Sequence, residues 1–203
     1  MDAHLYGAFL ATCLLVSLTP GLCSILCMTL ATSIGVRRTQ WMMLGELTGM
    51  GSVATAAVLG VAAVLHVQPA LFNSLKLIGC AYLIYLGWKN WQAAPVQGGA
   101  AVEIPRTRAS LAGLGFATAV TNPKVWAFYV ALLPPFVNPD RPLALQLSAM
   151  LALIVTVELA ALYIYAFCGR FIARLLDQPA ARTAIGRIIG VLMAAMGLWI
   201  LWQ

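Results

Sequence analysis

Along this chain apolar residues gather in long runs, and polar residues appear as brief interruptions. Runs long enough to cross a bilayer fall at about residues 3–34, 41–65, 70–92, 111–137, 143–168 and 184–202. A helix of ~20 apolar residues matches the ~30 Å hydrocarbon core of a membrane. The pattern therefore predicts an all-α integral membrane protein with six transmembrane helices. The first run has no basic segment before it, acidic Asp2 near its start and no small-x-small cleavage pattern. It is read as a span and not as a cleaved leader.

Two runs contain a proline among polar residues. Thr19-Pro20-Gly21 interrupts the first, and Thr121-Asn122-Pro123-Lys124 the fourth. Thr and Asn are good N-caps, and proline is favoured at the first helical position, where its missing N–H is no loss. Helices one and four are thus predicted to break at these prolines and restart inside the membrane. Residues 3–34 as one straight helix would extend ~48 Å, well beyond the hydrocarbon core, and a break relieves the excess. A restarted helix presents N–H groups with partial positive charge, and the unwound residues present carbonyls. Such ends receive a carboxylate and a cation respectively. A simple proline kink, repaired by neighbouring helices, is the alternative at either position.

Composition strengthens the membrane reading. The chain is 62% hydrophobic and only 9% charged, against about 25% charged in a typical soluble domain. The net charge of +6 is distributed as a topology signal. Arg37, Arg38, Lys89, Arg106, Arg108, Arg170, Arg174, Arg182 and Arg187 lie around the odd-numbered connections, which share one side. The positive-inside rule puts that side in the cytoplasm and both termini outside. No basic domain for nucleic acid exists, and attraction to anionic lipid is the ordinary consequence of the charge.

The stretch 92–110 is rich in Ala, Gly and Pro and divides the chain nearly in half. The expected organisation is a first three-helix repeat at 1–92, a cytoplasmic linker at 93–110 and a second three-helix repeat at 111–203. The halves enter the membrane from opposite sides, so a relationship between them is that of inverted repeats. Each half opens with a proline-interrupted helix and carries a carboxylate in its second helix, Glu46 or Glu158. The distance from proline to carboxylate is 26 residues in one half and 35 in the other, so register is not kept.

Charged residues within the spans are the candidate chemistry. Lys124 and Glu158 lie deep in helices four and five, where a charge needs a partner or a hydrated cavity. They form a candidate pair, and Glu158 is the candidate proton carrier; a static ion pair is the competing reading. Glu46 lies nearer the cytoplasmic end of helix two, where pairing with Arg37 or Arg38 competes with a role in binding. Gly45 and Gly49, and Gly186 and Gly190, form small-xxx-small pairs suited to close helix packing or a homodimer. Cys13, Cys23, Cys27, Cys80 and Cys168 contain no C-x-x-C and read as packed small residues. His4 and His66 are far apart, and no metal-ligand cluster, phosphate loop or nucleophile elbow occurs. Neither cofactor, metal nor enzymatic activity is expected.

Several segments together resemble the LysE/RhtB family of amino-acid exporters: SLTPGLCSILCMTLATSIG, GELTG, LKLIGCAYLIYLGWKNW, VTNPKVWAFYVALLPPFV and RIIGVLMAAMGLWIL. They occur in order and cover nearly the whole chain apart from the linker. The resemblance implies a small bacterial inner-membrane exporter driven by the proton gradient. It matches Pro20 and Gly21 to the first-helix motif and Gly45 and Gly49 to the second-helix glycines. Lys76, Gly79, Tyr82, Leu83 and Gly87 match the third-helix element, and Asn122, Pro123 and Lys124 the fourth. Glu158 stands where many members have an acidic residue. Leu22 and Cys23 replace residues that are often polar, and Met50 follows Gly49 where Asp is frequent, with Glu46 one turn earlier.

The expected function is export of an amino acid or derivative by alternating access with proton antiport. Thr19, Pro20, Gly21, Asn122, Pro123, Lys124 and Glu46 are the candidate binding residues, and Glu158 with Lys124 the proton-coupling residues. A membrane thiol-redox carrier is the reading from another class. Cys23 and Cys27, at i and i+4, are poorly spaced for a disulfide, being ~6 Å apart along the helix axis. A packing protein without transport is a third reading.

Overall fold

A computed structural model of the chain describes residues 3–67, 69–92, 107–138 and 141–202. Within them every regular element is helical: α1 (Ala3–Ser17), α2 (Leu22–Ile34), α3 (Val36–Val67), α4 (Pro69–Trp91), α5 (Arg108–Val120), α6 (Pro123–Phe136), α7 (Leu143–Asp177) and α8 (Pro179–Trp202). The predicted first run is α1 and α2 together, bent by 56° at the break between them. The predicted fourth run is α5 and α6, separated at Thr121-Asn122. Segments of α3, α7 and α8 are each long and apolar enough to cross a membrane, and the bent α1–α2 pair passes the same test as one broken span. Several apolar helices and no strand among the described residues agree with an α-helical membrane protein. The linker predicted at 93–110 lies mostly outside the described residues, which resume at Thr107. There Thr107 and Ser110 form a reciprocal capping box at the start of α5, satisfying N–H groups that a helix end leaves open.

Packing is set by glycine. A Cβ on Gly45 of α3 would overlap the Ala112 carbonyl of α5, and one on Gly115 of α5 would overlap the Met42 carbonyl of α3. Gly49 extends the same face, 2.8 Å from the Phe116 carbonyl by the same construction. The backbones of α3 and α5 thus meet without intervening side chains, which is how small residues hold helices together in lipid. Gly87 of α4 and Gly190 of α8 repeat the device. A Cβ on either would stand 2.6 Å from the other's carbonyl oxygen. These small-residue faces are therefore filled within the chain. Gly79 is also buried.

Around these pairs, α2 packs on α7, α3 on both α6 and α7, and α4 on α6. One apolar cluster joins Phe9, Met50, Phe128, Leu133, Phe136, Met150 and Ile154. A second joins Leu26, Leu30, Met42, Met43, Leu111 and Leu162. Leu47 packs against both clusters, and its neighbour Glu46 faces a cavity. Tyr85, Trp88 and Trp91 on α4 are exposed, as expected of an interfacial aromatic set.

Replacement of Gly45 or Gly115 by alanine is expected to destabilise the protein by about 1–3 kcal/mol through forced separation of α3 and α5. Gly51→Ala has open space around it and is expected to be neutral or slightly stabilising, since alanine favours the helix. Thermal unfolding in detergent, followed by loss of the monodisperse gel-filtration peak, measures the difference.

Candidate functional site

The site grows from the way α1 ends. A helix that stops leaves its last carbonyls without intrahelical donors, and here those of Leu14, Leu15 and Val16, with those of Leu18 and Thr19 in the break beyond, receive donors. The Leu18 N–H donates to the Leu14 carbonyl at 2.9 Å and the Thr19 N–H to that of Val16 at 3.2 Å. The Thr19 hydroxyl donates to the Leu15 carbonyl at 2.7 Å. From α7, the Tyr165 hydroxyl donates to the Leu18 carbonyl at 2.8 Å. From the start of α6, the Lys124 ammonium donates to the carbonyls of Val16 and Thr19, both at 3.3 Å. A cation there complements the negative end of the helix dipole.

This arrangement corrects the expected role of Thr19. Its hydroxyl is committed backward to α1 and does not cap α2. Gly21 is the N-cap of α2, in extended conformation and with no side-chain hydrogen bond to the helix. Pro20 lies in the break and not at the first helical position. The second restart follows the prediction. Pro123 is the first residue of α6, and Asn122 Oδ1 accepts the Lys124 N–H at 3.0 Å. One helix start is therefore closed by its own cap, and the other is open.

The two breaks face one another across a cavity of about 50 Å³, room for roughly three or four water molecules. Its walls include Thr19, Gly21, Glu46, Asn122, Lys124 and Glu158. It thus draws sequence-predicted residues from both halves of the chain. Val16, Met50, Ala119, Val125 and Phe128 supply the apolar wall. The Lys124 ammonium would lie 3.6 Å from a Cβ placed on Gly21, so it sits beside the open start of α2. The Asn122 amide reaches the Cys23 sulfur at 3.8 Å. The side chains of Lys76, Leu83 and Pro123 lie outside the described part of the structure.

Lys124 and Glu158 both line the cavity but do not form the direct pair expected. The ammonium takes the carbonyls of Val16 and Thr19, and the Glu158 carboxylate accepts a hydrogen bond from the Ser17 hydroxyl. Glu46 also departs from the reading that paired it with Arg37 or Arg38, which are exposed. It is only 2% exposed, is turned into the cavity beside Cys23, and is close enough to Glu158 for their charges to interact. Its Oε2 has no hydrogen-bond partner. A buried carboxylate oxygen in that condition is costly unless something supplies a donor.

Ser17 and Tyr165 were not singled out from the sequence. Tyr165 had a usable signal, since it follows Glu158 by seven residues and shares its helix face. Ser17 had none, because only tertiary contact brings it to Glu158. Cys13, Cys23 and Cys27 are buried free thiols, and Cys168 is exposed. The Cys27 thiol donates to the Leu162 carbonyl, a packing contact. Among the described residues no cluster of three or more His, Cys, Asp or Glu side chains is arranged to hold a metal.

The chain matches the model of the LysE type translocator family over residues 14–203. It is 29% identical over 197 residues to the homoserine/homoserine lactone efflux protein of Salmonella typhi, covering 97% of this chain and 96% of that protein. An uncharacterized membrane protein of Vibrio cholerae is 25% identical over 198 residues, covering 98% and 97% respectively. The leucine efflux protein of Salmonella choleraesuis is 28% identical over 138 residues, covering 68% of this chain and 65% of its own length. No solved structure matches the chain.

Asn122→Ala is expected to cost about 1 kcal/mol through loss of the α6 cap. Thr19→Val is expected to cost less, because the Thr19 hydroxyl only adds a bond at an end already held by Lys124 and Tyr165. Melting temperatures of the purified variants in one detergent check the order.

Proposed function

The chain belongs to the LysE type translocators, and from that premise we propose that it exports an amino acid or amino-acid derivative through the cavity between its two broken helices. Members of this family are transporters and not enzymes. The relatives named for efflux of homoserine, its lactone and leucine support a small amino-acid substrate. The observation that carries the reading is the convergence of Thr19, Gly21, Glu46, Asn122, Lys124 and Glu158 on one cavity from both halves. Pro20 and Pro123 belong to the same proposed site through the breaks they create.

The proposed architecture is six spans in a bacterial inner membrane, as two inverted three-helix repeats at 1–92 and 111–203. Packing supports it. The contact of α2 with α7 is matched by that of α6 with α3, and the contact of α3 with α4 by that of α7 with α8, whereas the contacts of α4 with α6 and of α2 with α3 have no comparable counterpart among the described residues. The matched pairs are those that exchange between the halves of an internal repeat, and the inversion rests on the odd number of spans proposed for each half. Both termini are proposed to lie outside, on the asymmetry of Lys and Arg. A homodimer would need a face other than the glycine seams, which the chain fills itself. The cavity is too small for an amino acid as it stands, so loading requires the walls to part, as alternating access demands.

Glu158 is proposed to couple transport to protons. It faces the cavity, its hydrogen bond comes from a neutral hydroxyl, and Lys124 is near enough for its charge to be felt. In proteoliposomes preloaded with leucine or homoserine, an imposed pH gradient is expected to accelerate efflux by the wild-type protein. Glu158→Gln is expected to abolish the acceleration while leaving leucine–leucine exchange. An undiminished response to the gradient in Glu158→Gln removes Glu158 from the coupling step.

A further inference from the structure

Away from the cavity, charge gathers where α3 and α5 begin. The two helices run side by side in one register, with Gly45 against Ala112 and Gly49 against Phe116. One turn earlier the same offset brings Trp41 to Arg108. The Arg108 guanidinium lies over the Trp41 ring, 5.3 Å from its centroid. Arg37 stands four residues before Trp41, which makes the two neighbours on the surface of α3. All three side chains are exposed. Two cations thus flank one indole at the arginine-rich end of the glycine seam.

Neighbouring like charges repel unless an anion stands with them. The carboxylates whose side chains are described, Glu46 and Glu158, both line the cavity and so do not serve here. On this side of the chain nine basic residues face only Glu103 and Asp177. Stacking on Trp41 steadies the Arg108 guanidinium and leaves donors along its edge for another acceptor. A planar guanidinium matches two oxygens of a phosphate. Further along the seam, Leu44 and Phe116 are 51% and 43% exposed. They continue the corner toward the membrane interior as an apolar strip. The fitting ligand therefore has an anionic phosphate at one end and hydrocarbon at the other. A free phosphate uses the charges but leaves the strip uncovered, and a zwitterionic headgroup brings a cation of its own to the arginines.

We propose that the corner formed by Arg37, Trp41 and Arg108 is a seat for one anionic phospholipid of the surrounding bilayer. Its phosphate lies between Arg37 and Arg108, and an acyl chain follows Leu44 and Phe116. The seat joins the two halves of the chain, because α3 belongs to the first and α5 to the second. It also stands at the end of the seam that carries Glu46 into the cavity. A lipid bound there fastens α3 to α5 beyond the last glycine contact. The proposal rests on the membrane reading and not on what the protein exports.

The test uses the full-length protein, stripped of lipid in a non-ionic detergent. Dioleoylphosphatidylglycerol, dioleoylphosphatidylcholine and inorganic phosphate are titrated in turn, with bound lipid counted by native mass spectrometry and the melting temperature followed. The phosphatidylglycerol is expected to bind about tenfold more tightly than the phosphatidylcholine. Arg37→Gln and Arg108→Gln are each expected to cut that preference about fivefold, the effect of one basic group near a lipid headgroup. Arg108→Lys keeps the charge and loses the planar fork, and is expected to keep most of the preference. Its behaviour, with a monodisperse gel-filtration profile of Arg108→Gln, separates lipid recognition from misfolding. Arg174→Gln removes an exposed arginine near the end of α7 and is expected to leave the preference intact. An equal loss in Arg174→Gln reduces the binding to general charge attraction and overturns the seat. Equal stabilisation by inorganic phosphate, or an unchanged preference in either Arg37→Gln or Arg108→Gln, overturns it as well. None of these outcomes touches the export reading, which the proteoliposome assay decides.

Discussion

The fold turns on how a helix can be interrupted where water is scarce. Every backbone carbonyl released at the end of α1 needs a donor, because an unpaired peptide group in hydrocarbon costs several kcal/mol. Lys124 supplies donors from the opposite half of the chain to the Val16 carbonyl and to that of Thr19 in the break, and Tyr165 supplies one from α7 to that of Leu18. The same contacts bring the two breaks together, so satisfaction of the backbone and construction of the cavity are one event. A lysine in a membrane helix would ordinarily be a liability. Here its ammonium faces the negative end of a helix and polar cavity walls, and its long alkyl stem spans the distance.

The glycine seams hold the frame in which that interaction forms. Close approach of α3 to α5 through Gly45, Gly49 and Gly115 carries Glu46 inward, away from the arginines at the start of its own helix. In lipid there is little hydrophobic drive between helices, and close van der Waals packing takes its place. The seam between Gly87 and Gly190 does the same for α4 and α8. The polar centre is therefore enclosed by helices whose positions depend on the absence of side chains.

A transporter must let its site change exposure without unfolding. A broken helix whose end is held by side chains is suited to that, because a side-chain bond exchanges more readily than a continuous backbone ladder.

Much of the architecture was legible in the chain. The apolar runs determined that the protein is helical and suited to a membrane, since periodicity and length report burial directly. Asn122-Pro123 announced a capped restart, because both the cap and the proline act within one turn. The family motifs contain Gly21, Asn122 and Lys124, which line the cavity. Thr19 misled, since the same hydroxyl can cap the next helix or bond back to the last one, and only the position of Lys124 and Gly21 decides between them. Glu46 was ambiguous for a related reason: its place along the helix was plain, but its facing partner was set by the glycine seam with α5. The sequence by itself determined what forms locally, the helices, the breaks and the small-residue faces. The tertiary structure alone decided which helix start stays open, which carboxylate keeps a free oxygen and which carbonyls receive Lys124. Those outcomes depend on contacts between residues about a hundred positions apart, and short-range pattern carries no information about them.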